Sequence, residues 1–158
     1  MPERLRRLER TFQRYPIYFV TACTYERKSV LANVKVHHEL IRFGVQGSNH
    51  GAWLGDYVIM PDHLHAFVAV DDTWITLSAW MKSLKNALSK TLRANGITSP
   101  HWQKGFFDHV LRSSESYSSQ WEYVRQNPVR AGLVHEADEW KFAGKLFLWN
   151  SATIVSDE

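Results

Sequence analysis

Two strand-length apolar runs, Trp53–Met60 (WLGDYVIM) and His63–Val70 (HLHAFVAV), are separated by only Pro61 and Asp62. Proline brings a preset φ and no N–H to donate, and aspartate favours turns, so the two runs read as an antiparallel hairpin. A lone hairpin is at best marginally stable in water, and one this apolar needs strands beside it and cover on its faces.

Both are at hand. Ile17–Thr24 (IYFVTACT) is β-branched and aromatic and predicts a first strand, and Phe106–Leu111 predicts a fourth. Val34–Val45 sets Val36, Leu40, Ile41 and Val45 near helical spacing, ended by a Gly-Ser-Asn-His-Gly loop. Leu77, Met81, Leu84, Leu88 and Leu92 mark one face of a second helix that Asn95-Gly96 closes. Ser114–Gln126 predicts a third, entered through Ser and Glu. The order β-α-β-β-α-β-α gives an α+β chain: a ferredoxin-like, or split βαβ, domain with a central antiparallel sheet of about four strands covered by helices. With 158 residues, no repeat and no Pro/Gly-rich linker, residues 1–158 are expected to form one domain.

Several classes drop out early. Cys23 is the one cysteine, which excludes an intrachain disulfide and a Cys-cluster zinc site and suits a reducing compartment. The start of the chain lacks the apolar run of a signal peptide, and no stretch approaches the ~20 apolar residues of a membrane span, so a soluble, cytoplasmic protein with no membrane partner is expected. The net charge of +3 is unevenly spread: residues 1–30 carry seven Lys/Arg against three acids, and residues 135–158 two against five. A basic N-terminal arm (1–15) with an acidic C-terminal tail (136–158) is compatible with a polyanionic partner, and equally with solvated surface charge. Aromatics make up 13% of the chain, enough to fill a core or to stack on unpaired bases.

The residues able to do chemistry fall into two pairs. His63 and His65 alternate on the predicted third strand, so they project from one face roughly 6.6 Å apart and could converge on one ion. A chain with eight His gives about 0.4 His-x-His pairs by chance, so spacing alone leaves surface or packing roles open. Tyr123 and Asn127 lie one helical turn apart, about 6 Å between neighbours, where a phenol could sit beside a hard amide ligand suited to Mg or Mn. A core tyrosine and an Asn127 N-cap ahead of Pro128 fit the same pattern. Tyr117 is the rival phenol, but six residues of helix turn it roughly 120° away from Tyr123, and no amide stands four residues after it. Cys23 has no nearby His, no phosphate loop or nucleophile elbow occurs, and His101 and His109 read as structural.

Three strings in register, YVIMPDHLHAFV (57–68), WQKGFFDHVLR (102–112) and YVRQNPVRAGLV (123–134), together resemble the REP-associated tyrosine transposases, a branch of the single-tyrosine HUH endonucleases. The similar segments run from about Ile17 to Val134. The resemblance implies that His63 and His65 are the HUH metal ligands, Asn127 the third, amide ligand, and Tyr123 the nucleophile, with Mg or Mn as cofactor. It implies cleavage and strand transfer on single-stranded DNA at or near REP-like hairpins, through a 5′-phosphotyrosine and a free 3′-OH, by a protein acting as a monomer rather than a dimer. Hairpin stems would then be held by phosphate contacts from Lys82, Lys85, Lys90 and Arg93 on the second helix and Arg4 and Arg7 of the arm, with Lys104, Arg112, Arg125 and Arg130 nearer the site. Two other classes stand beside this one: a domesticated hairpin-binding protein that does not cut, and a structural zinc domain, which lacks obvious third and fourth ligands.

Overall fold

A computed structural model describes residues 15–147, apart from the side chains of residues 114 and 115. Arg4, Arg7 and nearly all of the basic arm, and the end of the acidic tail from residue 148, lie outside the described residues.

The hairpin is as expected. Strand β2 (Ala52–Ile59) and strand β3 (His63–Val70) pair antiparallel across the Pro61-Asp62 turn. Strand β1 (Ile17–Cys23) lies on the far side of β3, and strand β4 (Phe107–Leu111) beyond β1, all antiparallel. A fifth strand, β5 (Ala143–Lys145), borders β2, so the sheet runs β4-β1-β3-β2-β5 rather than stopping at four. Three residues of Ala-Gly-Lys are too short and too weakly β-forming to announce a strand; pairing with β2 imposes it. The first four strands carry the ferredoxin-like order the element sequence implied.

Helix α1 (Val34–Gly47) starts at Asn33, whose Oδ1 accepts from the Val36 amide at 3.0 Å. Helix α2 (Leu77–Ala94) starts at Thr76, whose hydroxyl accepts from the Ala79 amide at 3.1 Å, and ends at Gly96 in the left-handed region, φ 81°. Both helices lie on one face of the sheet. Met81, Leu84, Leu88 and Leu92 of α2 and Val36 and Leu40 of α1 bury against Leu64, Ala66, Val68 and Val70 of β3. The leucine stripe is therefore core. Val45, expected on that apolar face, is 47% exposed, while Gly44 is buried against Leu54.

The opposite sheet face is covered by helix α3 (Ser114–Arg125), capped by Ser113 and followed by the short α4 (Asn127–Arg130). Tyr117 of α3 packs with Phe67, Ile17 and Leu111, and Val124 with Val58 and Met60. Fully burying one such side chain contributes about 1.5–3 kcal/mol, enough to fix the helix on this face. With both faces and the β5 edge covered, all eight residues of β2 are buried.

Candidate active site

The pleat of β3 decides where the histidines go. Leu64 and Ala66 enter the helix-covered core behind the sheet, so His63 and His65 project from the α3 face. Their cross-strand neighbours on β1 are Cys23 and Thr21, and Val58 of β2 flanks His65. The two rings meet edge to face, centroids 4.7 Å apart and planes at 80°.

Each ring is tethered through Nδ1. His63 Nδ1 lies 2.7 Å from Asp62 Oδ1; a carboxylate only accepts, so Nδ1 carries the proton. His65 Nδ1 lies 2.8 Å from the Thr21 hydroxyl, and its ring stacks on Phe19 at 5.2 Å. Nε2 of His63 is thereby the nitrogen that can offer a lone pair to a cation, and Nε2 of His65 likewise when Nδ1–H donates to Thr21. Burial, then the charges of His63, Arg130 and Arg27, push the His65 imidazole down to about 3, so it is neutral near neutral pH. Burial works against the Asp62 carboxylate, but hydrogen bonds from Arg27 and His63 hold it below the usual carboxylate range.

Helix α3 separates its two tyrosines as the 120° offset requires. Tyr117 is buried, its hydroxyl donating to Asp56 and its ring 4.5 Å from Phe67. Tyr123 is 63% exposed. Its neighbour Val124 packs on Val58, the residue beside His65, so this end of α3 lies on the sheet face from which the histidines project. α3 ends at Arg125, yet Gln126 keeps helical backbone angles (φ −84°, ψ −5°), and Asn127 opens α4 one turn beyond Tyr123. Arg130 ties the two together. Its guanidinium sits 3.9 Å over the Tyr123 ring, donates to the Tyr123 carbonyl at 2.7 Å and to Asn127 Oδ1, and its charge bears on His65.

The donor set suits a hard or borderline divalent ion. Two imidazoles with Nδ1 anchored in carboxylate or hydroxyl follow the usual pattern in which the outer partner orients a metal-binding ring. Zn–N or Mn–N bonds near 2.1 Å bring two such nitrogens within about 3–3.5 Å, compatible with rings this close. No group of three or more His, Cys, Asp or Glu able to hold a metal occurs among the described residues, so a structural zinc site has no ligand set there. Asn127 Oδ1 has a second lone pair beyond the one facing Arg130.

The cations expected near DNA are dispersed. Lys82, Lys90 and Arg93 are exposed on α2, behind the sheet from the histidines. Lys85 is committed to the 103–105 loop, its Nζ donating to the Gln103 carbonyl at 3.1 Å and to that of Gly105. Lys104 and Arg112 are exposed; Arg125 pairs with Asp138 at 2.8 Å and Glu122 at 3.4 Å. His101 is a core histidine, bonded to Ser89 and to the Ile97 carbonyl, as expected of a lone one. Asp62 and Thr21 were not among the sequence candidates. An acid directly before the first strand histidine could have flagged Asp62; only the β1–β3 register finds Thr21.

Comparison with known proteins adds the family context. The family model described as transposase IS200 like matches residues 12–127. A REP-associated tyrosine transposase of Escherichia coli K12 is 24% identical over 87 residues, 55% of this chain and 50% of that protein. The chain thus spans about half the length of the curated relatives it matches. Among solved structures, a REP-associated tyrosine transposase bound to a REP hairpin matches with TM-score 0.67 at 22% identity, covering 81% of this chain and 75% of that one. A candidate transposase of Deinococcus radiodurans R1 matches with TM-score 0.52 at 19% identity, covering 71% and 91%. At these identities the two structures speak for the fold. No helix among the described residues is long and apolar enough to cross a membrane.

Proposed function

The chain belongs to the IS200-like transposase family, and on that premise we propose that it cuts and rejoins single-stranded DNA beside hairpins through a covalent bond to Tyr123. One observation carries the reading: an exposed phenol rides on a helix whose Val124 packs on Val58, the cross-strand neighbour of His65, on the sheet face from which two imidazoles with tethered Nδ1 atoms project.

His63, His65 and Asn127 are the residues that would hold a divalent cation, Mg or Mn. When bound, such an ion supplies Lewis-acid polarisation of a non-bridging oxygen of the scissile phosphate. The chain's own groups account for the rest. Tyr123 Oη attacks phosphorus in line; the new O–P bond forms as the bond to the 3′ oxygen breaks, giving a 5′-phosphotyrosine and a free 3′-OH. The phenol proton leaves to water, which reaches this exposed side chain, and water supplies the proton that the departing 3′ oxygen takes up. Arg130 steadies both the Tyr123 carbonyl and the Asn127 amide, so phenol and amide are presented as a unit. Because the phosphotyrosine conserves the energy of the broken diester, an incoming 3′-OH can reverse the step and join strands.

The substrate class follows from access. A strand must lie against the imidazole pair with its phosphate under the phenol, which an unpaired strand can do and a stacked duplex cannot. A hairpin-bound relative of the same fold makes a REP-like hairpin the first substrate to try; that the protein acts as a monomer is part of the same proposal. The test is incubation with a single-stranded hairpin oligonucleotide and Mg or Mn, followed by denaturing electrophoresis. A covalent adduct with wild type and Tyr117→Phe, lost in Tyr123→Phe and with chelator, is expected. Hairpin binding with no adduct under any divalent ion would turn the reading to a binding protein that does not cut.

A further inference from the structure

Arg27 stands outside the candidate site residues, yet the structure spends unusual backbone on it. Glu26 and Arg27 adopt φ of 51° and 53°, two successive left-handed residues with no glycine. L-residues avoid that region, so the turn must be enforced from outside. Thr24 enforces it. It is fully buried, its amide donates to the Asp62 carbonyl at 3.0 Å, and its hydroxyl lies 2.9 Å from the Lys28 carbonyl and 3.0 Å from that of Asp62. The Tyr25 amide is held by the His101 carbonyl at 2.9 Å.

The product of that turn is a guanidinium at the rim of the imidazole pair. Arg27 Nε donates to Asp62 Oδ2 at 2.8 Å, Nη1 lies 3.4 Å from Cys23 Sγ, and Nη2 lies 3.3 Å from His63 Nδ1. Since His63 Nδ1 spends its proton on Asp62, it cannot accept from Nη2. The terminal N–H groups are thus steered to the site by Asp62 and the strained turn without being consumed by the histidine. The side chain remains 51% exposed. A fixed cation beside two imidazoles repels any metal ion they hold. Asp62 offsets one of these positive charges, so with a divalent ion on the imidazoles the site stays net positive and favours a further anion, and a guanidinium is matched to the oxygens of a phosphate.

We infer that Arg27 binds a non-bridging oxygen of the scissile phosphodiester, placing a second positive group on the phosphate from the β1 side of the site. This rests on the nuclease reading above. Charge at the reacting phosphate develops during the in-line step, which is where a preplaced guanidinium contributes most.

The experiment uses a hairpin oligonucleotide whose cleavage position has been mapped with the wild-type protein, made with the scissile linkage as phosphodiester or as either separated methylphosphonate diastereomer. Single-turnover adduct formation is followed for wild type, Arg27→Ala and Arg27→Lys. On phosphodiester, Arg27→Ala is expected to be slower by about 10²–10³-fold. With one diastereomer, in which an uncharged methyl replaces the oxygen Arg27 would neutralise, the gap to wild type should fall below about tenfold. Arg27→Lys should lie between, having charge without the fork, and carries the test if the alanine variant does not fold. Equal losses on all three substrates would mean that Arg27 acts only by holding Asp62, and would overturn this inference alone. No adduct with the wild-type protein on any hairpin would overturn the nuclease reading and this inference with it.

Discussion

The Nδ1–H of His63 is donated to Asp62 at 2.7 Å, so the ring's far nitrogen is the one free to bind a cation. The carboxylate does this while also receiving Arg27 at 2.8 Å, and its orientation is therefore fixed from two sides. Removing its charge should disturb the ring's basicity and aim without touching a ligand.

Asp62→Asn is accordingly expected to weaken Mn binding by roughly 10–100-fold. Titration of the metal-free protein with Mn, followed by the loss of free-ion electron spin resonance signal, measures it. An unchanged affinity would show that Asp62 does not orient a metal-binding ring.

The two tyrosines of α3 should separate cleanly. Tyr117→Phe leaves the buried Asp56 carboxylate short of a donor and should cost about 1–3 kcal/mol in urea unfolding. Tyr123→Phe, at an exposed position, should change stability by less than about 0.5 kcal/mol. The two substitutions thus have opposite signatures, one in stability and one in adduct formation. A large stability loss in Tyr123→Phe would mean that the phenol is a structural group.

His65 gives the apo-protein a pH signature. Its folded value is about 3, against about 6.5 in the unfolded chain. Between those values the unfolded chain binds a proton that the native state does not, so this contribution to stability is present above pH 6.5 and is lost as pH falls. The slope should approach about 1.4 kcal/mol per pH unit. Urea unfolding with chelator at pH 6.5, 5.8 and 5.0 should show a steeper fall for wild type than for His65→Asn. Parallel curves would refute the buried, neutral imidazole.

Gly144 admits no side chain. A Cβ there would stand 2.6 Å from the Tyr57 hydroxyl, which is itself bonded to His37 at 2.7 Å. Gly144→Ala should therefore cost about 1–3 kcal/mol through overpacking and shorten hydrogen-exchange protection at Val58, whose strand β5 borders. Unchanged protection would mean that β5 yields freely.

How much of this could be read from the chain depends on where each signal lives. The His63–Val70 strand and the leucine stripe of α2 carry periodic patterns long enough to be legible, and both occur where expected. The 120° offset between Tyr117 and Tyr123 is helix arithmetic, and burial of one with exposure of the other follows from it. Val45 was misplaced because Gly44, with no apolar side chain, is what lets α1 approach Leu54. β5, Thr21 and the left-handed turn at Glu26–Arg27 are set by partners distant in sequence, and nothing local announces them. Nor does the charge pattern announce that the Lys85 ammonium donates to the carbonyls of Gln103 and Gly105.

β5 also bears on what counts as the minimal folding unit. The family match stops at residue 127, whereas the β5 backbone and Trp140, which donates to the Ile59 carbonyl at 3.0 Å, come later. A protein trimmed to the matched stretch would bare the main chain of a wholly buried strand, a ready template for intermolecular pairing. Short and compositionally unremarkable, residues 140–145 act as a selvedge: without them the sheet edge would be open to pairing with other copies of the chain.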